Sequence, residues 1–452
     1  MLLEKATLEL LPAALKTVEE GFDWLPPIEA GIPGEERMAV IMQQVAARLR
    51  DNYPYFHPLY AGQMLKPPHP IARAAYALST WINPNNHALD GGRASSAMEK
   101  EAVAEIAAMF GWQTHLGHLS SGGTMANLEA LWVAGQLHPG KKIAASTQAH
   151  YTHSRISKVL GLPFVEVPCD DRGRMDTRAL AEMLAAGDIG CVVATLGTTG
   201  TGSVDPLPAI FRLRAQAGFR VHLDAAYGGY FTLAGNLAPE TRAALDQLGE
   251  ADSIVVDPHK HGLQPYGCGC VLFRDPGVGA LYKHDSPYTY FTSSELHLGE
   301  ISLECSRPGA SAVALWATQE LLPLVRGGEF AQGLEACREA ALSLARRLAA
   351  DSKWLLPFPP ELDIVVWTPH AASAQLASER SQRIFRAAAH RGLHLALVRL
   401  PAGYFPSLTA DSADQPDTVL CLRSVLMKPE HREWVNQILT TLDAAYRDAD
   451  EE

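Results

Sequence analysis

Short apolar runs separated by stretches of helical spacing dominate the middle of the chain. Five runs, Ile143–Ala145, Cys191–Leu196, Arg220–Leu223, Ile254–Val256 and Gly269–Phe273, are close to continuously apolar. A strand with one wet face alternates apolar and polar residues. A strand covered on both faces does not, so these runs predict the buried strands of a mostly parallel sheet. Glu99–Phe110 and Thr177–Ala185 between them carry helical spacing, which predicts βαβ units. The pattern changes at both ends. Residues 1–85 read as helices broken by Pro26-Pro27, Pro33-Gly34 and Pro67-Pro68, an arm with little core of its own. A helical pattern over Ala310–Leu322 leads to Ile364–Trp367, Leu393–Leu397 and Val419–Leu422, which alternate with helical stretches. The expected organisation is a helical arm at 1–85, a large α/β domain at 86–320 and a smaller α+β domain at 321–452.

Composition narrows the function classes. With 47% apolar and 19% charged residues in 452, the chain has enough material for a large core. A net charge of -12 without a basic stripe argues against a nucleic-acid partner. The seven cysteines, at 169, 191, 268, 270, 305, 337 and 421, form no CxxC pair, which predicts reduced thiols and a cytoplasmic protein. Met1-Leu-Leu-Glu-Lys5 lacks a signal-peptide pattern, and no apolar run reaches the roughly 18 residues a membrane span needs.

Four segments carry candidate chemistry. In Ser253-Ile-Val-Val-Asp-Pro-His-Lys260 an apolar strand ends in a turn bearing His259 and Lys260. A lysine walled by apolar residues loses protonation through desolvation, and a neutral amine attacks a carbonyl to form a Schiff base. In Val221-His-Leu-Asp-Ala-Ala-Tyr-Gly-Gly-Tyr230 a strand delivers Asp224, followed by small residues that let a flat ring approach. A fixed carboxylate there suits a protonated pyridine nitrogen. Leu119-Ser-Ser-Gly-Gly-Thr-Met-Ala-Asn127 opens a helix with a Gly-Gly turn, a phosphate seat that is neither a Walker loop nor GxGxxG. Ser146-Thr-Gln-Ala-His150 supplies an imidazole able to stack on a ring. Together these meet four needs of pyridoxal 5′-phosphate. His150-x-x-His153 has the spacing of a metal pair, but no third ligand follows at usable spacing, so no metal is expected.

These residues carry a resemblance. Ser121-Gly-Gly-Thr-Met-Ala-Asn127, Gln148-Ala-His150, Ala194-Thr-Leu-Gly-Thr-Thr199, His222-Leu-Asp-Ala-Ala226, Asp257-Pro-His-Lys260 and Ser306-Arg-Pro-Gly309 resemble the group II pyridoxal-phosphate-dependent amino acid decarboxylases. The resemblance runs over residues 50–320 and implies the aspartate-aminotransferase-like fold (fold type I). It also implies a homodimer with the site between subunits, and loss of carbon dioxide from an L-amino acid to give an amine. It implies that Lys260 holds the cofactor, Asp224 the ring nitrogen and His150 the ring face and substrate. Gly123, Thr124 and His259 would then serve the phosphate, with Thr198 and Ala226 nearby. Arg307 serves the cofactor phosphate or the substrate, or else makes a structural ion pair.

Two stretches leave the reaction and substrate open. Tyr55–Leu65 is similar to the family's pocket segment. Gln63 there is closer to the glutamate-decarboxylase pattern, and the run 63–70 is also similar to archaeal tyrosine/aspartate decarboxylases. Lys66 is placed to read an acidic side chain. The loop Phe291–Glu300, where the family carries a proton-donating tyrosine, has none. His297 is the expected replacement, with Tyr288 and Tyr290 as upstream alternatives. Relatives altered at this loop form aldehydes by decarboxylative oxidation, so that outcome stays open. So do carbon–carbon lysis, transamination and, outside catalysis, a scaffold role.

Overall fold

The structure, a computed structural model, describes residues 5–26, 34–283, 296–408 and 416–451. Seven strands make the large sheet: β1 (Leu116–Ser120), β2 (Lys142–Ser146), β3 (Phe164–Val167), β4 (Ile189–Thr195), β5 (Arg220–Asp224), β6 (Ser253–Val256) and β7 (Gly269–Phe273). Their spatial order is β1-β7-β6-β5-β4-β2-β3. β3, β2, β4, β5 and β6 pair in parallel, and β7 runs antiparallel to both of its neighbours. The connection 257–268 holds the Lys260 turn instead of a crossover helix, so β7 returns antiparallel to β6.

Both faces of the sheet are covered, as its apolar runs require. Along β4, Val192 and Ala194 join one core cluster, while Cys191 and Val193 join another across the sheet. Each fully buried Val, Leu or Ile contributes about 1.5–3 kcal/mol, which is what pins the strand register. That register sets Thr195 beside Asp224 and Asp224 beside Val255, so the strand ends form one carboxyl edge. Three helices bear on the site: α4 (Arg93–Met109), α5 (Gly123–Leu137) and α6 (Thr152–Val159).

β1 and β3 were not anticipated from the apolar pattern. They are the two edges of the sheet, and their runs Leu-Gly-His-Leu-Ser and Phe-Val-Glu-Val are mixed. A second sheet contains β8 (Trp354–Leu355), β9 (Ile364–Pro369), β10 (Ala396–Pro401) and β11 (Thr418–Val425), in the antiparallel order β10-β11-β9-β8. β10 starts later than the run Leu393–Leu397 suggests, because the His394 backbone pairs with Leu59 and Ala61 instead of the sheet. Trp367, Leu344, Ile384 and Leu442 fill the core between this sheet and its helices.

The N-terminal arm is thinly packed. The sixteen-residue helix Lys5–Glu20 is followed by Glu35–Leu49, which buries no residue. Pro70–Thr80 is better anchored. His69 Nδ1 accepts the Ile71 amide at 3.3 Å, Pro70 occupies the first turn, and the helix packs on Gly309–Leu321.

Candidate active site

The carboxyl edge opens into a pocket of about 370 Å³, within the roughly 300–1,000 Å³ of small-molecule sites. Strand ends and two turns supply its wall. Lys260 enters from the turn after β6, with Nζ 3.1 Å from Asp257 Oδ2. The apolar wall anticipated around this lysine therefore ends in a carboxylate. His259 donates its Nδ1 proton to the Cys268 carbonyl at 2.7 Å and packs against the Tyr266 ring, 4.7 Å between centroids. Burial, then the Lys260 charge, pushes the His259 pKa down, partly opposed by Asp257.

The turn before α5 forms the opposite wall. Gly122 has φ +152°, a conformation side-chain-bearing residues rarely adopt, and a Cβ on Gly123 would stand 2.7 Å from Asp257 Oδ2. Only glycines let the chain pass this close to the lysine turn. The first amides of α5, at Gly123 and Thr124, then meet the pocket with the positive end of the helix dipole.

Asp224 stands at the end of β5 and is held from behind. His153 Nε2 donates to Asp224 Oδ2 at 2.8 Å, and the Ala226 amide donates to Oδ1 at 3.2 Å. Burial alone would raise the Asp224 pKa. The His153 hydrogen bond and charge, with Lys260, outweigh it and hold the carboxyl well below the usual range. His153 is thus the carboxylate's anchor. The sequence showed it only as half of a weak metal motif. Behind Asp224, His222 bridges Asn127 Oδ1 at 2.8 Å and Ser253 Oγ at 2.9 Å, and burial pushes its pKa down to about 3.

His150 lines the pocket at the start of α6. Its Nδ1 accepts the Thr152 amide at 3.3 Å and meets Thr152 Oγ1 at 2.8 Å, which leaves the ring proton to Nε2. Burial lowers its pKa, with Lys260 adding to the effect and Asp224 opposing it, so the ring is neutral at pH 7. Ala226 and Tyr227 complete the floor, and Tyr227 is tied through its hydroxyl to Asp363 Oδ1 at 2.7 Å.

Other sequence candidates are not brought to this pocket. Thr198 is fully buried and turned to Thr201 Oγ1 at 2.8 Å, while Thr195 and Thr199 line the wall in its stead. Arg307 makes the structural ion pair: Nη1 lies 2.8 Å from Glu99 Oε1 and also bonds the Leu119 carbonyl. His297 is buried away from the pocket, with Nδ1 accepting the Leu89 amide at 3.1 Å. Tyr288 and Tyr290 lie outside the described residues. Gln63 is exposed and reaches the rim indirectly. Its Oε1 accepts Arg423 Nη2 at 2.7 Å, and Arg423 Nη1 donates to the carbonyl of pocket-lining Thr199 at 2.8 Å. Lys66 faces a different cavity. The sequence did not single out Arg423, Asp257 or Tyr266.

The pocket fits pyridoxal phosphate. It pairs a lysine with a helix N-terminus and an anchored carboxylate. It also holds polar groups with no partner among the described residues, Thr195 Oγ1 and Asp257 Oδ1.

Comparison with known proteins agrees with this geometry. Residues 35–368 match the family model described as the pyridoxal-dependent decarboxylase conserved domain. An L-aspartate decarboxylase of Thermococcus kodakarensis is 28% identical over 380 residues, covering 82% of this chain and 94% of that protein. An L-tyrosine decarboxylase of Enterococcus faecium is 27% identical over 432 residues, covering 73% and 70%. In fold, the crystal structure of Oryza sativa TDC with PLP and tryptamine superposes with a TM-score of 0.77 at 18% identity, covering 97% of this chain and 96% of that one. The chain belongs to the pyridoxal-dependent decarboxylases: it is a fold type I enzyme that uses pyridoxal phosphate to decarboxylate an amino acid.

Proposed function

We propose that the chain removes the α-carboxylate of an L-amino acid with an acidic side chain. The observation that carries this reading is Arg423. It is buried on β11, has no carboxylate partner among the described residues, and is held beside the rim by Gln63 and the Thr199 carbonyl. A buried guanidinium without a counter-ion favours an arriving carboxylate, with Gln63 steering its orientation. The relative named for aspartate supports the same choice. A second reading, tyrosine, is favoured by the relative named for that substrate and by Tyr266 in the wall.

We assign the site roles from the resemblance and from each residue's position in the pocket. Bound pyridoxal phosphate supplies an electron sink for the carbon that loses its carboxylate. Lys260 Nζ holds the cofactor, and the amides of Gly123 and Thr124 with His259 seat its phosphate. His150 would cover a face of the bound ring and meet the substrate, and the small side chain of Ala226 would leave room for the ring. Asp224 keeps the proton on the ring nitrogen. We assign the returning α-carbon proton to Lys260 Nζ, which lines the pocket where His297 does not. Tyr288→Phe and Tyr290→Phe test the two candidates upstream of that loop.

Assembly is proposed as a homodimer. The helix Glu35–Leu49 exposes Met38, Val40, Ile41, Met42, Val45 and Leu49, a row with nothing against it among the described residues. A cytoplasmic location is proposed from seven free thiols. No described helix is long and apolar enough to cross a membrane.

The deciding experiment is carbon dioxide release and product analysis across L-amino acids. Aspartate or glutamate giving carbon dioxide and the amine, with Arg423→Met raising KM, supports the proposal. Release from tyrosine alone selects the second reading, and an aldehyde product rejects simple decarboxylation.

A further inference from the structure

A second cavity, of about 680 Å³, lies between the arm, the helix Glu329–Ala349 and the segment 428–432. It reaches His261, the residue after Lys260. Four cations face it, Lys66, Arg73, Lys428 and Arg432, against two carboxylates, Glu329 and Glu430. Both carboxylates are exposed, whereas Lys428 is 4% exposed.

The two lysines are the informative pair. Neither forms an ion pair among the described residues. Lys66 Nζ donates to the Met427 carbonyl at 3.1 Å, and Lys428 Nζ donates to the Tyr60 carbonyl at 2.6 Å. An ammonium carries three donors, so one carbonyl leaves each of them largely unsatisfied. Burial, reinforced by the Lys66 charge, pushes the Lys428 pKa down to about 7, and burial lowers Lys66 as well. His261 closes the inner end as a neutral ring whose proton faces Asp363, so its Nδ1 is an acceptor and adds no anion donor. The residue is 1% exposed, and its Nδ1 has no hydrogen-bond partner among the described residues. Its Nε2 lies 3.1 Å from Asp363 Oδ2. Desolvated cationic donors around a roomy cavity are costly unless a ligand of opposite charge satisfies them.

We propose that this cavity is a binding site for a small oxyanion, a carboxylate or a phosphate, held by Lys66 and Lys428. The site is separate from the pocket that holds Asp224, and the inference is independent of the substrate reading. The occupant is a small solute because the cavity is about 680 Å³ and carries its charge on its walls.

The test is calorimetric titration of the cofactor-loaded enzyme with inorganic phosphate and, separately, with succinate. Loading with pyridoxal phosphate fills the other phosphate seat. One site per chain with millimolar or tighter affinity for either probe is expected, and the responding probe identifies the source of the anion. Lys66→Met should weaken that binding at least tenfold without changing the turnover number. Lys428→Met should do the same where it folds; Lys66 is only half-buried, so its variant carries the test alone if Lys428→Met does not. No binding of either probe up to tens of millimolar overturns the proposal. So does binding that Lys66→Met leaves unchanged, which would place the anion elsewhere, the substrate pocket included.

Discussion

At the scale of single residues, the pair His153–Asp224 sets the charge of the carboxylate proposed to serve the ring nitrogen. Asp224 sits in a low-dielectric site where burial favours its neutral form, and His153 at 2.8 Å reverses that preference. His153→Leu leaves burial opposed chiefly by the Lys260 charge, so the carboxyl pKa rises. The carboxylate is then present only at higher pH. The acid limb of the rate profile should move upward, with a larger loss at pH 6 than at pH 8. Asp224→Ala removes the carboxylate altogether and should cost on the order of 10³-fold at every pH, corresponding to about 4 kcal/mol. Rate profiles of the two variants check this, and an unshifted limb in His153→Leu rejects the anchoring role. The contrast also marks what the sequence made legible. Lys260, Asp224, His150 and the Gly122-Gly123 turn each stand in a local motif at a strand or helix end. His153 and Arg423 act through partners distant along the chain, Asp224 and Gln63, and no local pattern announces such a meeting.

At the scale of elements, the proposed phosphate seat depends on braces behind it. The end of β1 leads into the turn before α5, and Glu99 Oε1 accepts the Leu119 amide at 2.9 Å while pairing with Arg307. Arg307 thus holds α4 against β1 and contacts no pocket surface. His297 plays a comparable part on the next segment, accepting the Leu89 amide while its own amide bonds Glu300 Oε2 at 3.1 Å. His297→Phe removes that acceptor and strands a partly buried amide, which costs about 1–3 kcal/mol. Urea unfolding should show that loss, while the ratio of amine to aldehyde stays as in the wild type. A changed product ratio with unchanged stability would return His297 to the chemistry. The titratable side chain in the loop pattern read as a catalytic acid because sequence does not show where a histidine points. Strand prediction failed for a related reason: the apolar rule identifies strands buried on both faces, and β1 and β3 are edges.

At the scale of the whole molecule, the arm leaves an apolar surface open. Trp24 is 77% exposed, and the row from Met38 to Leu49 has no cover among the described residues. Placing charge in it, as in Ile41→Glu with Val45→Glu, should shift sedimentation from dimer to monomer at micromolar concentration. A wild-type chain that already sediments as a monomer contradicts the proposed assembly.

The interior makes a further statement about pH. His222 and His431 are buried, and burial pushes both pKa values down to about 3; burial also lowers His150, His259 and His261. Below pH 6.5 the unfolded chain protonates these rings while the fold keeps them neutral, so the unfolded state binds more protons. Their stabilisation is complete above about pH 6.5 and is lost as pH falls toward the folded values. At pH 5.5 each ring that stays neutral costs about 1.4 kcal/mol. Asp205 works in the opposite sense: burial raises it to about 7, which returns about 2 kcal/mol over the same interval, less than His222 and His431 together cost. The urea midpoint should therefore fall between pH 7.5 and 5.5. His431 donates Nε2 to the Pro58 carbonyl at 3.0 Å, and its Nδ1 accepts the Lys428 amide at 3.2 Å, roles an asparagine side chain can share without a titrating proton. His431→Asn should shrink the fall by about 1.4 kcal/mol at pH 5.5. A stability that is flat or rises on acidification would mean that the buried rings are already charged in the fold.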